Sequence, residues 1–216
     1  MNKEKNVIEY YVLCNKLKNT IRTGWKDWNV KRERIESVAE HIYGVQMLAI
    51  AMYSEYHYDI DLKTVIMMLA VHELEEIYIG DLTLFQINKE EKNKIGHIAI
   101  EKVLNNLSTK EEIKQLILEF DKQETKESLF AYQCDKLEAD LQCKLYDEEN
   151  CVDLSNQNNN DLVNEKDIHK YLNNNTSWSE MWLKIGQERY NYDKNFLDVS
   201  NYALNNKINV FKNENE

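Results

Sequence analysis

The segment Val71-His-Glu-Leu-Glu-Glu-Ile-Tyr-Ile-Gly-Asp81 concentrates the groups of this chain that can do chemistry. His72 and Glu73 are adjacent, Glu76 follows four residues after His72, and an apolar run leads in. Upstream, Glu36-Ser-Val-Ala-Glu-His41 offers a second imidazole, and downstream Gln133-Cys-Asp-Lys-Leu-Glu138 offers Asp135. Imidazoles and carboxylates drawn from three apolar segments point to a divalent-metal site, because only a cation offsets bringing such groups together away from water. Each residue also has a plainer reading. His72 lies three residues after Leu69 and seven after Val65, at the end of a buried stripe where a lone histidine is an ordinary core residue. Glu73 and Glu76 change that reading, since two carboxylates beside a buried imidazole repel unless a cation or an arginine joins them. Taken singly, His41 suits a surface or capping position just before stripe residue Ile42, and Asp135, between Ala131 and Ala139, suits a solvated helix face.

The elements that must position these groups read as helices. There is no proline and there are only five glycines, which favours long helices joined by polar turns. A first helix is expected over residues ~4–21, with Ile8, Tyr11, Val12 and Leu17 along one side. Ser37 with Glu40 has capping-box spacing and starts a helix to about Tyr56. Asp61 caps the next, which carries its stripe on through His72, Glu73 and Glu76. Residues 77–87 read as a loop and Lys89–Asn105 as a polar helix. Ser108 with Glu111 repeats the capping-box spacing, and Thr125 caps a helix from Lys126 to about Tyr146. Asn156–Asn160 and Asn173–Asn175 read as connectors. Ser177 with Glu180 starts another helix, and a last one includes Phe196, Val199, Tyr202 and Leu204. Strand signals are nearly absent, so the fold class is all-α.

Composition narrows the function. The net charge of −11 argues against a nucleic-acid groove, which needs clustered Lys and Arg. One stretch is locally basic, with Arg22, Lys26, Lys31, Arg32 and Arg34 against Asp27 and Glu33, and suits a small anionic substrate. No apolar run approaches the ~20 residues of a membrane span, and Met1–Lys5 lacks the apolar stretch of a secretion signal. Cys14, Cys134, Cys143 and Cys151 show no CxxC pairing and read as reduced thiols of a cytoplasmic protein rather than a disulfide framework. His57, His97 and His169 have no company comparable to that of His72 and read as surface residues. Glu111-Glu112 and Asp147-Glu148-Glu149 read as solvated faces. Trp25 and Trp28 sit in the basic connector, where an exposed ring can stack on a planar base and a buried one, the better reading for Trp28, covers the core.

The order His41, then His72-Glu73, then Asp135 resembles the HD-domain metal-dependent phosphohydrolases, and among them the small bacterial 5'-deoxynucleotidase-like single-domain HD hydrolases. The resemblance runs from about Arg22 to Tyr146. It rests on Arg22-Thr-Gly-Trp25, Glu36-Ser-Val-Ala-Glu-His41, the Gly80-Asp81-Leu-Thr83 end of the His72 segment, and Asp135-Lys-Leu-Glu138. It implies an HD helical bundle over residues 1–150 with a C-terminal helical extension, 151–216, packed on the same domain. His41, His72, Glu73 and Asp135 are then ligands of one divalent transition metal such as Mn²⁺ or Co²⁺. Glu76 and Asp81 match the family's catalytic carboxylates, and Arg22 and Trp25 match residues that contact substrate phosphate and sugar or base. A homodimer is also implied, with Trp178–Tyr202 as a candidate surface.

The implied activity is removal of the 5'-phosphate from (deoxy)nucleoside monophosphates, a small-molecule substrate. Two other readings stand beside it: cleavage of a diphosphate bond in a nucleotide, and a degenerate site that binds nucleotide without turnover. The departure that keeps the last open is Glu73, where the family has aspartate. One extra methylene pushes the carboxylate out by ~1.5 Å, against metal distances held to ~0.2 Å. Either the backbone or rotamer adjusts, or Glu76 takes the ligand position and leaves Asp81 as the free acid–base group.

Overall fold

Ser37 and Glu40 close a capping box at the head of a 19-residue helix: the Glu40 N–H donates to Ser37 Oγ at 3.3 Å, and the Ser37 N–H donates to Glu40 Oε2 at 2.9 Å. Local signals of this kind set many of the element starts in the computed structural model, which describes residues 2–83, 85–172 and 176–210. The helices are α1 (Lys3–Cys14), α2 (Thr23–Asp27), α3 (Val38–Tyr56), α4 (Leu62–Val71), α5 (Glu76–Ile79), α6 (Lys89–Leu104), α7 (Lys110–Lys122), α8 (Lys126–Glu148), α9 (Lys166–Tyr171), α10 (Trp178–Arg189) and α11 (Lys194–Asn205). Among the described residues there is no strand, only an isolated antiparallel bridge between Ile21 and Ser37. The all-α expectation holds.

The chain forms two compact units, Met1–Trp25 with Ile35–Cys134, and Lys26–Arg34 with Asp135–Glu216. In the first, α3 packs on α4, α4 on α7 and α5 on α6. Leu17, Val38, Val71, Leu74, Ile77, Ile100, Leu104 and Ile117 belong to its core. In the second, α10 packs on α9 and α11. Trp28 is buried there with its ring centroid 5.8 Å from that of Trp178 and 6.1 Å from that of Trp182. The covering role expected of Trp28 is a core role.

Several starts follow the sequence. Asp61 accepts from the Lys63 N–H, Thr125 Oγ1 from the Ser128 N–H, and Ser177 Oγ from the Glu180 N–H. Others do not. The first helix stops at Cys14 and gives way to a 3-10 turn over Asn15–Lys18; Ile8, Tyr11 and Val12 are exposed, and Leu17 is the buried member of the expected stripe. The Ser108–Glu111 box does not form. Thr109 is the cap of α7 and its side chain makes no capping bond. Asn173–Asn175 lie outside the described residues.

The acidic run Asp147-Glu148-Glu149 is not a solvated face. Asp147 Oδ2 accepts from the N–H and hydroxyl of Ser179, Glu148 accepts from the N–H groups of Ile208 and Asn209, and Glu149 pairs with Arg32. These carboxylates take up donors that burial in the second unit would otherwise strand. Trp178, Met181 and Leu183 are likewise buried, so the Trp178–Tyr202 segment offers mainly Tyr202, 64% exposed, as an apolar surface group. None of the four cysteines is in a disulfide. His57, His97 and His169 are exposed, His97 pairing with Asp121 at 2.9 Å.

Candidate metal centre and active site

His41 sits on the buried face of α3, not beside it. The residues of α3 that lose all contact with solvent, or nearly so, are Val38, His41, Val45, Ala49 and Met52, spaced by three and four as one helical face requires. Ile42, the expected stripe residue, is only half-buried. The His41 side chain therefore points into the first unit, with its ring centroid 5.7 Å from that of His72.

His72 is reached differently from the expected continuous helix. Helix α4 ends at Val71, residues 72–75 form a turn, and Glu76 begins the short α5. The turn is tight: Leu74 N–H donates to Val71 O and Glu76 N–H to Glu73 O. A local competition accounts for the break. His72 Nδ1 lies 2.8 Å from the Leu69 carbonyl oxygen, the group that would receive the Glu73 N–H in a continuing α-helix. A carbonyl only accepts, so Nδ1 carries the proton and Nε2 is left with its lone pair. That is the arrangement by which a histidine is held as a metal ligand. His72 and Glu76 thus do not share one helix face, as their spacing suggests.

Glu73 Oε1 is the point of convergence. It lies 3.7 Å from His72 Nε2, 3.9 Å from His41 Nε2 and 3.6 Å from Arg22 Nη1. Ligand atoms of His41, His72 and Glu73 all fall within 4.8 Å of one another. Donors bound at about 2.1 Å to one ion stand roughly 3 to 4 Å apart, according to the angle between them. The spacing and the donor types both fit a divalent cation. Asp135 opens the second unit, one residue beyond Cys134 in α8. It is buried, and its Oδ2 lies 2.8 Å from Lys136 Nζ; it is not the solvated aspartate of the plainer reading.

The other expected residues cluster in the first unit. Arg22 is half-buried, and its backbone N–H donates to the Glu36 carbonyl at 3.1 Å. Burial opposes its charge, but Asp81, Glu73, Glu76 and Glu36 outweigh that and keep the guanidinium protonated. Trp25 is buried rather than exposed, and its indole N–H donates to Glu36 Oε2 at 2.7 Å. Asp81 accepts from the Thr23 N–H. Glu76 is buried; burial pushes its carboxyl well above the usual range, Glu73 and Asp81 add to the rise, and Lys92 and Arg22 oppose it. The basic stretch is accordingly far from free: Arg22 faces Glu73, and Arg32 lies 3.0 Å from Glu149.

Sequence reasoning missed Glu36, Glu75 and Lys92. Glu36 stands five residues before His41, and its spacing carries no periodic signal. Burial and then Glu73 push the Glu75 carboxyl up to about 8. Lys92 Nζ lies 3.5 Å from Glu76 Oε1, although it belongs to a helix that reads as polar throughout.

Comparison with known proteins follows the same line. The family described as HD domain matches residues 14–174. The chain is 35% identical over 152 residues to 5'-deoxynucleotidase HDDC2 of Dictyostelium discoideum, covering 67% of this chain and 79% of that one. It is 30% identical over 143 residues to 5'-deoxynucleotidase hdd1 of Schizosaccharomyces pombe, covering 63% and 70%. Among solved structures, the PH0347 protein of Pyrococcus horikoshii OT3 superposes with a TM-score of 0.62 at 22% identity, over 91% of this chain and 98% of that one. That likeness is one of fold.

Proposed function

The chain belongs to the HD domain family and is a metal-dependent phosphohydrolase, and we propose that its substrates are 2'-deoxynucleoside 5'-monophosphates, from which it removes the phosphate. The observation that carries the reading is the convergence of His41 and His72 on Glu73 Oε1 beside Arg22. The 5'-deoxynucleotidases that it resembles supply the substrate class.

We assign His41, His72, Glu73 and Asp135 as the ligands. Asp135 is supported by its burial, by its place in a helix unbroken from Lys126, and by the order of the family motif. Two imidazoles with carboxylates favour a transition metal such as Mn²⁺ or Co²⁺ over calcium or magnesium. The ion, when bound, supplies Lewis-acid polarisation of the phosphoryl oxygen and acidifies water. The rest of the chemistry falls to side chains. Glu76 takes a proton from the water whose oxygen forms the new P–O bond. Asp81 assists transfer of that proton to the nucleoside 5'-oxygen as the P–O bond to it breaks, leaving nucleoside and inorganic phosphate. Arg22 pairs with the phosphate through its forked donors. Trp25 and Glu36 hold the Arg22 segment in place through the indole bond and the backbone bond already described.

No helix among the described residues is long and apolar enough to cross a membrane. Cysteines outside any disulfide suit a reducing compartment, and we place the protein in the cytoplasm. The homodimer draws support from an exposed stripe on α3, Tyr43, Met47 and Ile50, which is suited to an isologous contact.

The test is phosphate release from a panel of 2'-deoxynucleoside 5'-monophosphates with Mn²⁺, Co²⁺ or Mg²⁺ added to metal-stripped protein. Release that depends on the ion is expected. A folded protein that releases no phosphate with any ion would falsify the assignment, and release from diphosphate-bonded nucleotides alone would redirect it.

A further inference from the structure

Helix α6 carries a lysine against the carboxylate to which the hydrolytic proton is assigned. Lys92 Nζ lies 3.5 Å from Glu76 Oε1, with the lysine side chain 21% exposed and the Glu76 side chain fully buried. Lysines are seldom held that far from water without an acidic partner. Neither Glu76 oxygen makes a hydrogen bond among the described residues; Lys92 is paired with it, and Arg22 acts on it more weakly. Arg22 lies against Glu73.

The surrounding backbone needs such a restraint. Helix α5 has only four residues; it starts at Glu76 and ends at Gly80, whose φ of 74° takes the chain into the region that favours glycine. One turn holds few internal hydrogen bonds, so its orientation depends on what it packs against. That neighbour is α6. Lys92 and Gly96, four residues apart, share the α6 face toward it. A Cβ at Gly96 would stand 3.4 Å from Glu75 Cγ, an ordinary contact distance, so this face of α6 lies directly against the turn that leads into α5. Lys92 ties Glu76 by charge and acts on the neighbouring Glu75 carboxyl as well.

We propose that Lys92 is a positioning residue for Glu76, orienting its carboxylate toward the reacting water. The proposal rests on the hydrolase reading above. Glu76 Oε1 is held by the ammonium, and Oε2 is the oxygen that receives the water proton. Lys92 itself touches neither substrate nor metal.

The experiment compares wild type, Lys92→Met and Lys92→Arg in the Mn²⁺-loaded full chain, with a 2'-deoxynucleoside 5'-monophosphate as substrate. A positioned general base contributes about 10²–10⁴-fold to rate. Lys92→Met is expected to lower kcat by on the order of ten- to a hundredfold, with KM within about twofold and bound Mn²⁺ unchanged. Lys92→Arg restores most of the rate. An unchanged kcat, a rise in KM with kcat intact (the mark of a phosphate-binding lysine), or an arginine variant no better than methionine each overturns the proposal. A second arm does not need turnover. Crystal structures of wild type and Lys92→Met are expected to differ in the orientation of the Glu76 carboxylate, and the same orientation in both overturns the role. If wild type hydrolyses no nucleotide, the hydrolase reading fails and the crystallographic arm alone decides what Lys92 does. Should Lys92→Met not fold, Lys92→Gln takes its place in both arms.

Discussion

Asp81 grips Thr23 at two points. Its Oδ2 accepts the Thr23 backbone N–H, and its carbonyl oxygen accepts the Thr23 hydroxyl at 2.6 Å. Thr23 stands beside Arg22 at the head of α2, and Asp81 follows Gly80 at the end of α5. The clasp therefore joins the segment assigned to the phosphate with the segment assigned to proton transfer, across 58 positions of sequence.

Thr23→Val keeps the shape of the side chain and the backbone donor but removes the hydroxyl. One lost hydrogen bond, with a carbonyl left short of a donor, costs about 1 kcal/mol. We expect a matching fall in urea-unfolding free energy, a several-fold rise in KM for nucleotide as Arg22 loosens, and a smaller change in kcat. Thr23→Ser retains the donor and should lie close to wild type in both measurements. A valine variant with wild-type KM would show that the clasp does not hold Arg22.

Glu73→Gln removes the charge on which two imidazoles and Arg22 converge while conserving length. Loss of an outer partner alone weakens metal binding 10–100-fold, and loss of a charged ligand should exceed that. Metal analysis after dialysis is expected to find well under one Mn²⁺ per chain for Glu73→Gln and wild-type content for Glu73→Asp. The aspartate variant also decides what the longer side chain does. Higher turnover marks glutamate as a handicap in this site, and lower turnover shows that the turn after Val71 has adjusted to it.

Much of this site was legible because caps and periodicity are local. Ser37 with Glu40 marked the head of α3 correctly, and the buried face then follows by counting from Val38 to His41 and Val45. Choosing Ile42 for the stripe hid His41 at its edge. The turn at His72 was not legible, because the agent is a side chain bonding its own backbone at Leu69, which composition and period do not register. Lys92 was missed for a related reason. A lysine in the polar run Lys89–Lys94 looks solvated until α6 is laid on α5. The Asp147–Glu149 run misled in the same way, since its donors come from Ser179, Ile208 and Asn209, far along the chain.

Ser37→Ala tests the coupling between a cap and the site. Removing the cap takes away the side-chain acceptor of the Glu40 N–H, which also bonds the Ser37 carbonyl, and the hydroxyl that donates to Glu40 Oε2. The cost is about 1 kcal/mol. His41 lies in the same first turn, its N–H bonded to the Ser37 carbonyl at 3.0 Å. A measurable drop in Mn²⁺ affinity should accompany the lower melting temperature, and Ser37→Asp should recover both. Equal metal affinity in Ser37→Ala and wild type would separate the cap from the site.

Asp140 gives the second unit a pH-dependent stability. Burial drives its carboxyl well above the usual range, while the bond from Tyr192 Oη at 3.2 Å and nearby Lys136 oppose the rise. The folded state then keeps a proton that the unfolded chain has already lost, so this group's contribution is full below its ordinary pKa near 4. The contribution shrinks as pH climbs toward the raised value, by at most about 1.4 kcal/mol per pH unit. Asp140→Asn cannot titrate. Urea unfolding at pH 5 and pH 8 should show a smaller loss of stability with rising pH in the variant, and a more stable variant at pH 8. Parallel pH profiles for the two proteins would contradict the raised pKa.

Gly186 sits inside α10 where a side chain has no room. A Cβ there would overlap Asp140 Oδ2 and stand 3.0 Å from its Cγ and 3.3 Å from Tyr192 Oη. Glycine within a helix costs about 1 kcal/mol relative to alanine, so alanine would stabilise this position if space allowed. It does not, and overpacking a buried site costs ~1–3 kcal/mol. Gly186→Ala in the wild-type background is therefore expected to destabilise. In an Asp140→Ala background the obstructing carboxylate is gone, and the same substitution should turn stabilising, by up to about 1 kcal/mol. The sign reversal is the measurement, read from a four-protein unfolding cycle. A Gly186→Ala effect of the same sign and size in both backgrounds would show that Asp140 is not what glycine makes room for.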